Sequence, residues 1–101
     1  MGRGQKVAWN PVAASNFRRI KKKLLPGLQE ELDSQVREIL KNPLAGEPKK
    51  GALAGVRVRK FTYQGQLYLI AYEMRAKTRE IWLLAFGTHE KFYEGLHRYR
   101  R

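Results

Sequence analysis

Residues 80–86 form a strand-length run that is apolar on both of its faces, and this run constrains the fold more than any other segment. Its large apolar side chains are Ile81, Trp82, Leu83, Leu84 and Phe86. Successive side chains of a strand point to opposite faces of the sheet. A strand that is apolar on both faces needs cover on both. The run therefore predicts a central, covered strand that ends at Gly87.

Two further strands precede this run along the chain. Residues 56–63 alternate between apolar and polar side chains, and residues 67–74 form a second strand-length segment. The pair Gln64-Gly65 between them is typical of a tight hairpin turn. Residues 76–78 turn the chain again before the third strand. The pattern predicts three consecutive strands in a twisted, mainly antiparallel sheet.

Two helical stripes occupy the first half of the chain. Asn10 is a suitable helix cap, and Pro11 suits the first helical position. The apolar stripe that follows, at spacings of 4, 3 and 4 residues, consists of Ala13, Phe17, Ile20 and Leu24. A second stripe covers residues 26–41 and stops at Asn42. We expect the two helices to form an antiparallel hairpin packed on one face of the sheet.

Short elements complete a predicted α+β domain. Residues 6–9 are a candidate edge strand, and residues 43–55 form a loop rich in Pro and Gly. Residues 89–99 predict a short C-terminal helix with Phe92, Leu96 and Tyr99 on its apolar side. The element order is β-α-α-β-β-β-α. A chain of 101 residues is long enough for one small domain, which we expect to span residues 1–101.

The charge of the chain indicates the class of its partner. Lys and Arg number 21 against 9 Asp and Glu, a formal net charge of +12. Solubility of a small domain needs a magnitude of only about 2–8. A polyanionic partner is therefore favoured over mere solvation. No apolar run approaches the ~20 residues of a membrane span, and the first ten residues lack a signal-peptide core, so we expect a cytoplasmic protein without membrane contact.

The first strand of the hairpin carries the basic residues most suggestive of a site. Arg57 and Arg59 alternate with Val56 and Val58, so the two arginines share one face. Side chains two residues apart on a strand are separated by ~7 Å, near the spacing of adjacent phosphates. If helices cover one face, we expect these arginines on the open face, where they would bind phosphate. The alternative is that they are solvated surface charges.

The remaining chemical groups allow one metal-free reaction. The chain has no cysteine and no cluster of metal-ligating side chains, so we expect neither a metal nor another cofactor. His89 follows Gly87 at the end of the central strand, where a rigid scaffold can position it. RNA supplies its own nucleophile, the 2′-hydroxyl, and its cleavage needs only a general acid, a general base and cations. An RNase is consistent with this set of groups.

Several segments together resemble the RelE/ParE toxin superfamily over nearly the whole chain. They are the helical hairpin, the loop pattern Asn42-Pro43…Gly46…Pro48, the strand pattern 56–61, the pattern 67–72, and Gly87-Thr88-His89 with Phe92-Tyr93. The resemblance implies a toxin of a type II toxin–antitoxin system with an acidic antitoxin, assembled as a hetero-oligomer. In RelE-like and YafQ-like members it also implies cleavage of mRNA on the ribosome.

The resemblance also assigns roles to individual residues. Arg57 and Arg59 match basic residues that stabilise the phosphate, and His89 and Tyr93 match catalytic positions after the terminal glycine. RelE-like members carry an arginine where this chain has Leu69. A cation is therefore either missing from the site or supplied by another basic residue that also binds RNA, and the candidates are Lys60, Arg75 and Lys91.

Three functions follow from these patterns. The first, favoured by His89 and Tyr93, is a ribosome-dependent, metal-independent mRNA endonuclease that inhibits translation and arrests growth. The second is a ParE-like poison of DNA gyrase without RNase activity, which Leu69 leaves open. The third is a small basic RNA-binding protein. An acidic antitoxin encoded beside the gene would argue against the third.

Overall fold

The computed structural model describes residues 8–93, which form five strands and three helices. In chain order the elements are β1 (Asn10–Ala13), α1 (Ser15–Lys22), α2 (Pro26–Lys41), β2 (Glu47–Pro48), β3 (Val56–Tyr63), β4 (Gln66–Arg75), β5 (Glu80–Gly87) and α3, in which residues 89–93 are helical. Two 3-10 turns, Pro43–Ala45 and Gly51–Leu53, flank β2. The predicted α+β class and the predicted span of α2 are confirmed.

The five strands form one mixed sheet in the order β1-β5-β4-β3-β2. β5 lies between β1, to which it is parallel, and β4, to which it is antiparallel. The prediction of an interior strand is therefore confirmed. β3 and β4 form the predicted hairpin, with positive φ at both Gln64 and Gly65. One cross-strand row matters for the site: Lys60 pairs with Leu69, and Leu69 pairs with Gly87.

Each face of the sheet carries its own hydrophobic core. On the helix face, α1 and α2 pack on the strands, and the buried residues are Phe17, Leu32, Ile39, Phe61, Ile70, Tyr72, Ile81, Leu83 and Phe86. On the opposite face, called here the open face, the buried residues are Val56, Val58, Leu69, Ala71, Leu84, Ala85 and Phe92. Phe92 belongs to α3, so α3 covers part of the open face.

The N-terminal elements differ from their prediction. Asn10 and Pro11 do not begin a helix but lie in β1, and α1 begins at Ser15 after Ala14. The stripe residue Ala13 is likewise part of the strand, where it pairs with Leu83. A backbone hydrogen bond lies at each end of this segment: Asn10 N–H donates to the carbonyl of Arg79, just before β5, and Ala14 N–H donates to the Leu83 carbonyl of β5, both at 2.9 Å. Pairing with the apolar β5 outweighs the local capping pattern.

Two other predictions fall partly beyond residues 8–93. The candidate edge strand at residues 6–9 is not found at its last two positions, which precede β1 as irregular chain, and its first two lie outside the described residues. The predicted C-terminal helix is helical at residues 89–93, and its remainder lies outside the described residues. Within residues 8–93 no helix has the length and apolar character that crossing a membrane requires.

Candidate active site

The loop between α2 and β3 is held against the helix face by one buried tyrosine. The Tyr72 hydroxyl donates a hydrogen bond to the Pro43 carbonyl at 2.5 Å and accepts one from the Gly46 N–H at 3.1 Å. A Cβ at residue 46 would overlap this hydroxyl, so the glycine of the loop pattern is required by close approach. Burial raises the pKa of Tyr72, against the lowering effects of the Gly46 N–H and of Arg57 and Arg59.

The prediction that Arg57 and Arg59 line the open face is wrong. The Arg57 guanidinium donates through Nη1 to the carbonyls of Leu44 at 3.0 Å and Gly46 at 2.7 Å. Arg59 Nε donates to Gln35 Oε1 of α2 at 2.6 Å. Both arginines therefore face the helices. The physical reason is the parity of the strand: residues 57 and 59 share a face with Phe61, which belongs to the core beneath the helices.

The other face of β3 carries a different cation. Lys60 follows the parity of Val56 and Val58 and lies on the open face, with its side chain about half exposed. Its partner is Glu47 of β2, which pairs with Val58 and so points to the same face. Glu47 Oε1 lies 3.9 Å from Lys60 Nζ and 3.9 Å from Lys49 Nζ. One carboxylate oxygen thus lies between two ammonium groups.

The start of α3 brings two aromatic side chains to the same place. The Phe92 N–H donates to the Thr88 carbonyl at 2.8 Å, and the fully buried Phe92 ring anchors α3 on the open-face core. His89 and Tyr93 are four residues apart, so they share one side of the helix. Their ring centroids are 4.9 Å apart, and Lys49 Nζ lies 5.9 Å from the Tyr93 centroid.

Five side chains therefore form one continuous group, called here the basic–aromatic cluster: Glu47, Lys49, Lys60, His89 and Tyr93. They come from β2, the segment after it, β3 and α3. The exposed His89 supplies an imidazole, Glu47 a carboxylate and the two lysines positive charge. Groups of these types can act as a general acid, a general base and cations for a developing negative charge. Within residues 8–93, no three His, Cys, Asp or Glu side chains are grouped as metal ligands.

Two of the three candidate cations named by the sequence lie away from the cluster. Arg75 is six residues along β4 from Leu69, about 20 Å, and its guanidinium lies 4.0 Å from the Trp82 ring centroid. Lys91 is exposed and lies about 160° around α3 from His89. Leu69 is buried in the open-face core, so its position provides no cation. Of the three candidate cations, only Lys60 reaches the cluster.

Sequence reasoning missed Glu47 and Lys49. Both lie in a loop whose charged residues have no periodicity, so no local pattern distinguishes them from solvated charges. The sequence of β3 does contain a signal for which of its two faces lies beneath the helices. The aromatic residues Phe61 and Tyr63 have the parity of the two arginines, which indicates that the arginine face continues into a core.

Comparisons with known proteins agree with this fold. A doubly substituted variant of the E. coli toxin RelE in the free state superposes with a TM-score of 0.70 at 18% identity, covering 91% of this chain and 98% of that one. The RelBE2 toxin–antitoxin complex from Mycobacterium tuberculosis contains a chain with TM-score 0.68 and 20% identity, with coverages of 82% and 100%. The intact E. coli RelBE complex contains a chain with a TM-score of 0.66 and 18% identity, covering 80% of this chain and 96% of that one.

The sequence itself identifies the family. No curated protein matches the chain by sequence. The family model described as "ParE-like toxin of type II bacterial toxin-antitoxin system" matches residues 12–97. Fold and family match together define this chain as a toxin of a type II toxin–antitoxin system. It belongs to the ParE-like toxin family, within the RelE/ParE superfamily that the sequence resembles.

Proposed function

We propose that this toxin is an mRNA endonuclease that acts at the ribosome and thereby inhibits translation. The observation that carries the proposal is the basic–aromatic cluster, in which a carboxylate lies 3.9 Å from each of two ammonium groups beside a histidine–tyrosine pair. A gyrase poison that acts by binding alone needs no such set of acid–base groups. The cluster lies on the open face, where an RNA strand can reach it.

Each type of side chain in the cluster has its own role in this proposed reaction. The Glu47 carboxylate accepts the proton of the RNA 2′-hydroxyl, whose oxygen then attacks the neighbouring phosphorus. Lys49 and Lys60 stabilise the negative charge that develops on the phosphoryl oxygens. The P–O5′ bond breaks, and His89 gives a proton to the departing oxygen. The products are a 2′,3′-cyclic phosphate and a free 5′-hydroxyl, and the Tyr93 ring is placed to stack a base.

We also propose an acidic antitoxin as the protein partner. Two of the similar structures, one from E. coli and one from M. tuberculosis, are toxin–antitoxin complexes. The net charge of +12 gives this chain an electrostatic attraction to an acidic segment. Such a segment, disordered when free, would fold on binding and neutralise the toxin.

Primer extension on mRNA from translating ribosomes tests the proposed activity. The wild-type protein is expected to generate new mRNA ends, with 2′,3′-cyclic phosphate on the upstream fragment. Glu47→Gln and His89→Ala each remove a proton-transfer group, and each is expected to lower the cleavage rate by about 10²–10⁴-fold. Lys77→Ala is the control, because Lys77 is an exposed cation in the β4–β5 turn, far from the cluster. Full cleavage by both cluster variants would refute the assignment.

Leu69 favours a second function, the poisoning of DNA gyrase. The RelE-like members that the sequence resembles carry an arginine where this chain has a leucine, buried in the same open-face core as Phe92. A gyrase supercoiling assay with the same proteins discriminates between the two functions. Wild-type toxin that blocks supercoiling and leaves ribosomal mRNA intact would replace the RNase proposal with this one.

A further inference from the structure

Gly46 is held by two side chains from the helix face, and the next residue, Glu47, points to the open face. The Gly46 carbonyl accepts from Arg57 Nη1, and the Gly46 N–H donates to the Tyr72 hydroxyl. We propose that Arg57 is a positioning residue, which sets Glu47 and Lys49 for RNA cleavage from the opposite side of the sheet. The inference rests on the proposed endonuclease function and goes beyond it by giving Arg57 a role without substrate contact.

The backbone around Glu47 has few other restraints. β2 is only two residues long and lies at the edge of the sheet, paired on one side with Val58 and Arg57. The Lys49 N–H donates to the Val56 carbonyl at 2.9 Å, which holds the segment after β2. Before β2, the hydrogen bonds that hold Gly46 come from side chains. Arg57 bridges the carbonyls of Leu44 and Gly46 with a single nitrogen and so fixes the approach to Glu47.

A small displacement of this segment would matter at the cluster. Glu47 Oε1 stands 3.9 Å from both lysine nitrogens, beyond direct hydrogen-bond distance, so its position depends on the backbone rather than on tight contacts of its own. Misplacement of a catalytic group by 1 Å can lower a rate by about 10²-fold. Loss of the Arg57 bridge is therefore expected to lower the maximal cleavage rate without weakening ribosome binding.

Arg59 provides a matched control on the same strand. It carries the same charge on the same face two residues away, but it hydrogen-bonds Gln35 of α2 and not the loop. A general electrostatic contribution to RNA binding would affect both arginines alike. A positioning role affects Arg57 alone.

The test compares Arg57→Ala, Arg57→Lys and Arg59→Ala on translating ribosomes. Arg57→Ala is expected to lower kcat by about 10²-fold at unchanged KM, with partial recovery in Arg57→Lys, while Arg59→Ala keeps the wild-type kcat. Equal losses in Arg57→Ala and Arg59→Ala, or a raised KM at unchanged kcat for Arg57→Ala, would overturn the proposal.

Hydrogen exchange separates this inference from the proposed activity. If Arg57 holds the loop, Arg57→Ala accelerates exchange of the Gly46 and Lys49 amides, and Arg59→Ala leaves both at wild-type rates. This readout needs no RNA. Wild-type protein that cuts no mRNA would refute the endonuclease, whereas unchanged amide exchange in a folded Arg57→Ala protein would refute the positioning role.

Discussion

The hydroxyl of Tyr72 offers the sharpest test of how the fold supports the site. Tyr72→Phe keeps the buried ring and removes one oxygen, which leaves the Pro43 carbonyl without its donor and the Gly46 N–H without its acceptor. A buried polar group left unsatisfied costs about 1–3 kcal/mol. At about 1.5 kcal/mol each, two such groups predict a loss of about 3 kcal/mol in the free energy of unfolding.

Thermal and urea unfolding measure this loss directly. In a domain of about this size each kcal/mol lowers Tm by about 4–8 °C, so Tm of Tyr72→Phe should fall by about 12–24 °C. Tyr68→Phe is the matched control. The Tyr68 ring stacks on Phe61 and Phe86, and within residues 8–93 its hydroxyl makes no hydrogen bond, so stability should change little. Equal midpoints for the two variants would refute the argument.

The pH dependence of the stability difference between wild type and Tyr72→Phe supplies a second test. Burial raises the pKa of Tyr72 above the ordinary value of 10.0, so the unfolded chain loses this proton at a lower pH than the folded chain. The contribution of this group to stability is complete below pH 10 and declines as pH rises further. Phenylalanine has no such proton. The stability difference between wild type and Tyr72→Phe should therefore narrow above pH 10, and a constant difference would contradict this account.

Three further predictions concern the loop, the cluster and the partner. Gly46→Ala forces a methyl group onto the Tyr72 hydroxyl and should destabilise the domain by about 1–3 kcal/mol in urea unfolding, whereas Gly51→Ala meets no neighbouring atom and reports only the cost of its positive φ. If the Tyr93 ring mainly stacks a base, Tyr93→Phe should lower the cleavage rate less than His89→Ala does in the primer-extension assay. Equal losses would indicate that the Tyr93 hydroxyl takes part in proton transfer. The rate at which the toxin associates with the acidic product of a neighbouring gene should fall as salt rises, as measured by stopped flow. Absence of binding at low salt would contradict the proposal of an acidic antitoxin partner.

Much of the fold follows from local patterns. The span of α2 was predictable because its apolar stripe is long and ends at Asn42-Pro43. β5 was predictable because a strand that is apolar on both faces has no stable place at an open surface. The β3–β4 hairpin follows from two strand-length segments on either side of Gln64-Gly65, where both turn residues have positive φ. In each case neighbouring residues along the chain contain the whole signal.

The candidate site was only partly predictable. His89 could be proposed because it follows a strand end, and Tyr93 because it matches a catalytic position in the family that the sequence resembles. The sequence alternation paired Arg57 with Arg59, but alternation alone does not say which face the helices cover. That choice is made by the packing of α1 and α2, which placed both arginines inside the helix face and Lys60 outside it.

Local sequence patterns thus specify α2, β3, β4 and β5, together with the side-chain types available for chemistry. How these elements and side chains combine depends on packing between distant parts of the chain. β1 exists because β5 offers an edge for parallel pairing, against the capping pattern at Asn10 and Pro11. Glu47 and Lys49 join His89 and Tyr93 because a loop held by Tyr72 and Arg57 returns to the sheet edge. Contacts between residues that are distant along the chain have no local periodicity, and only the folded chain brings these groups together.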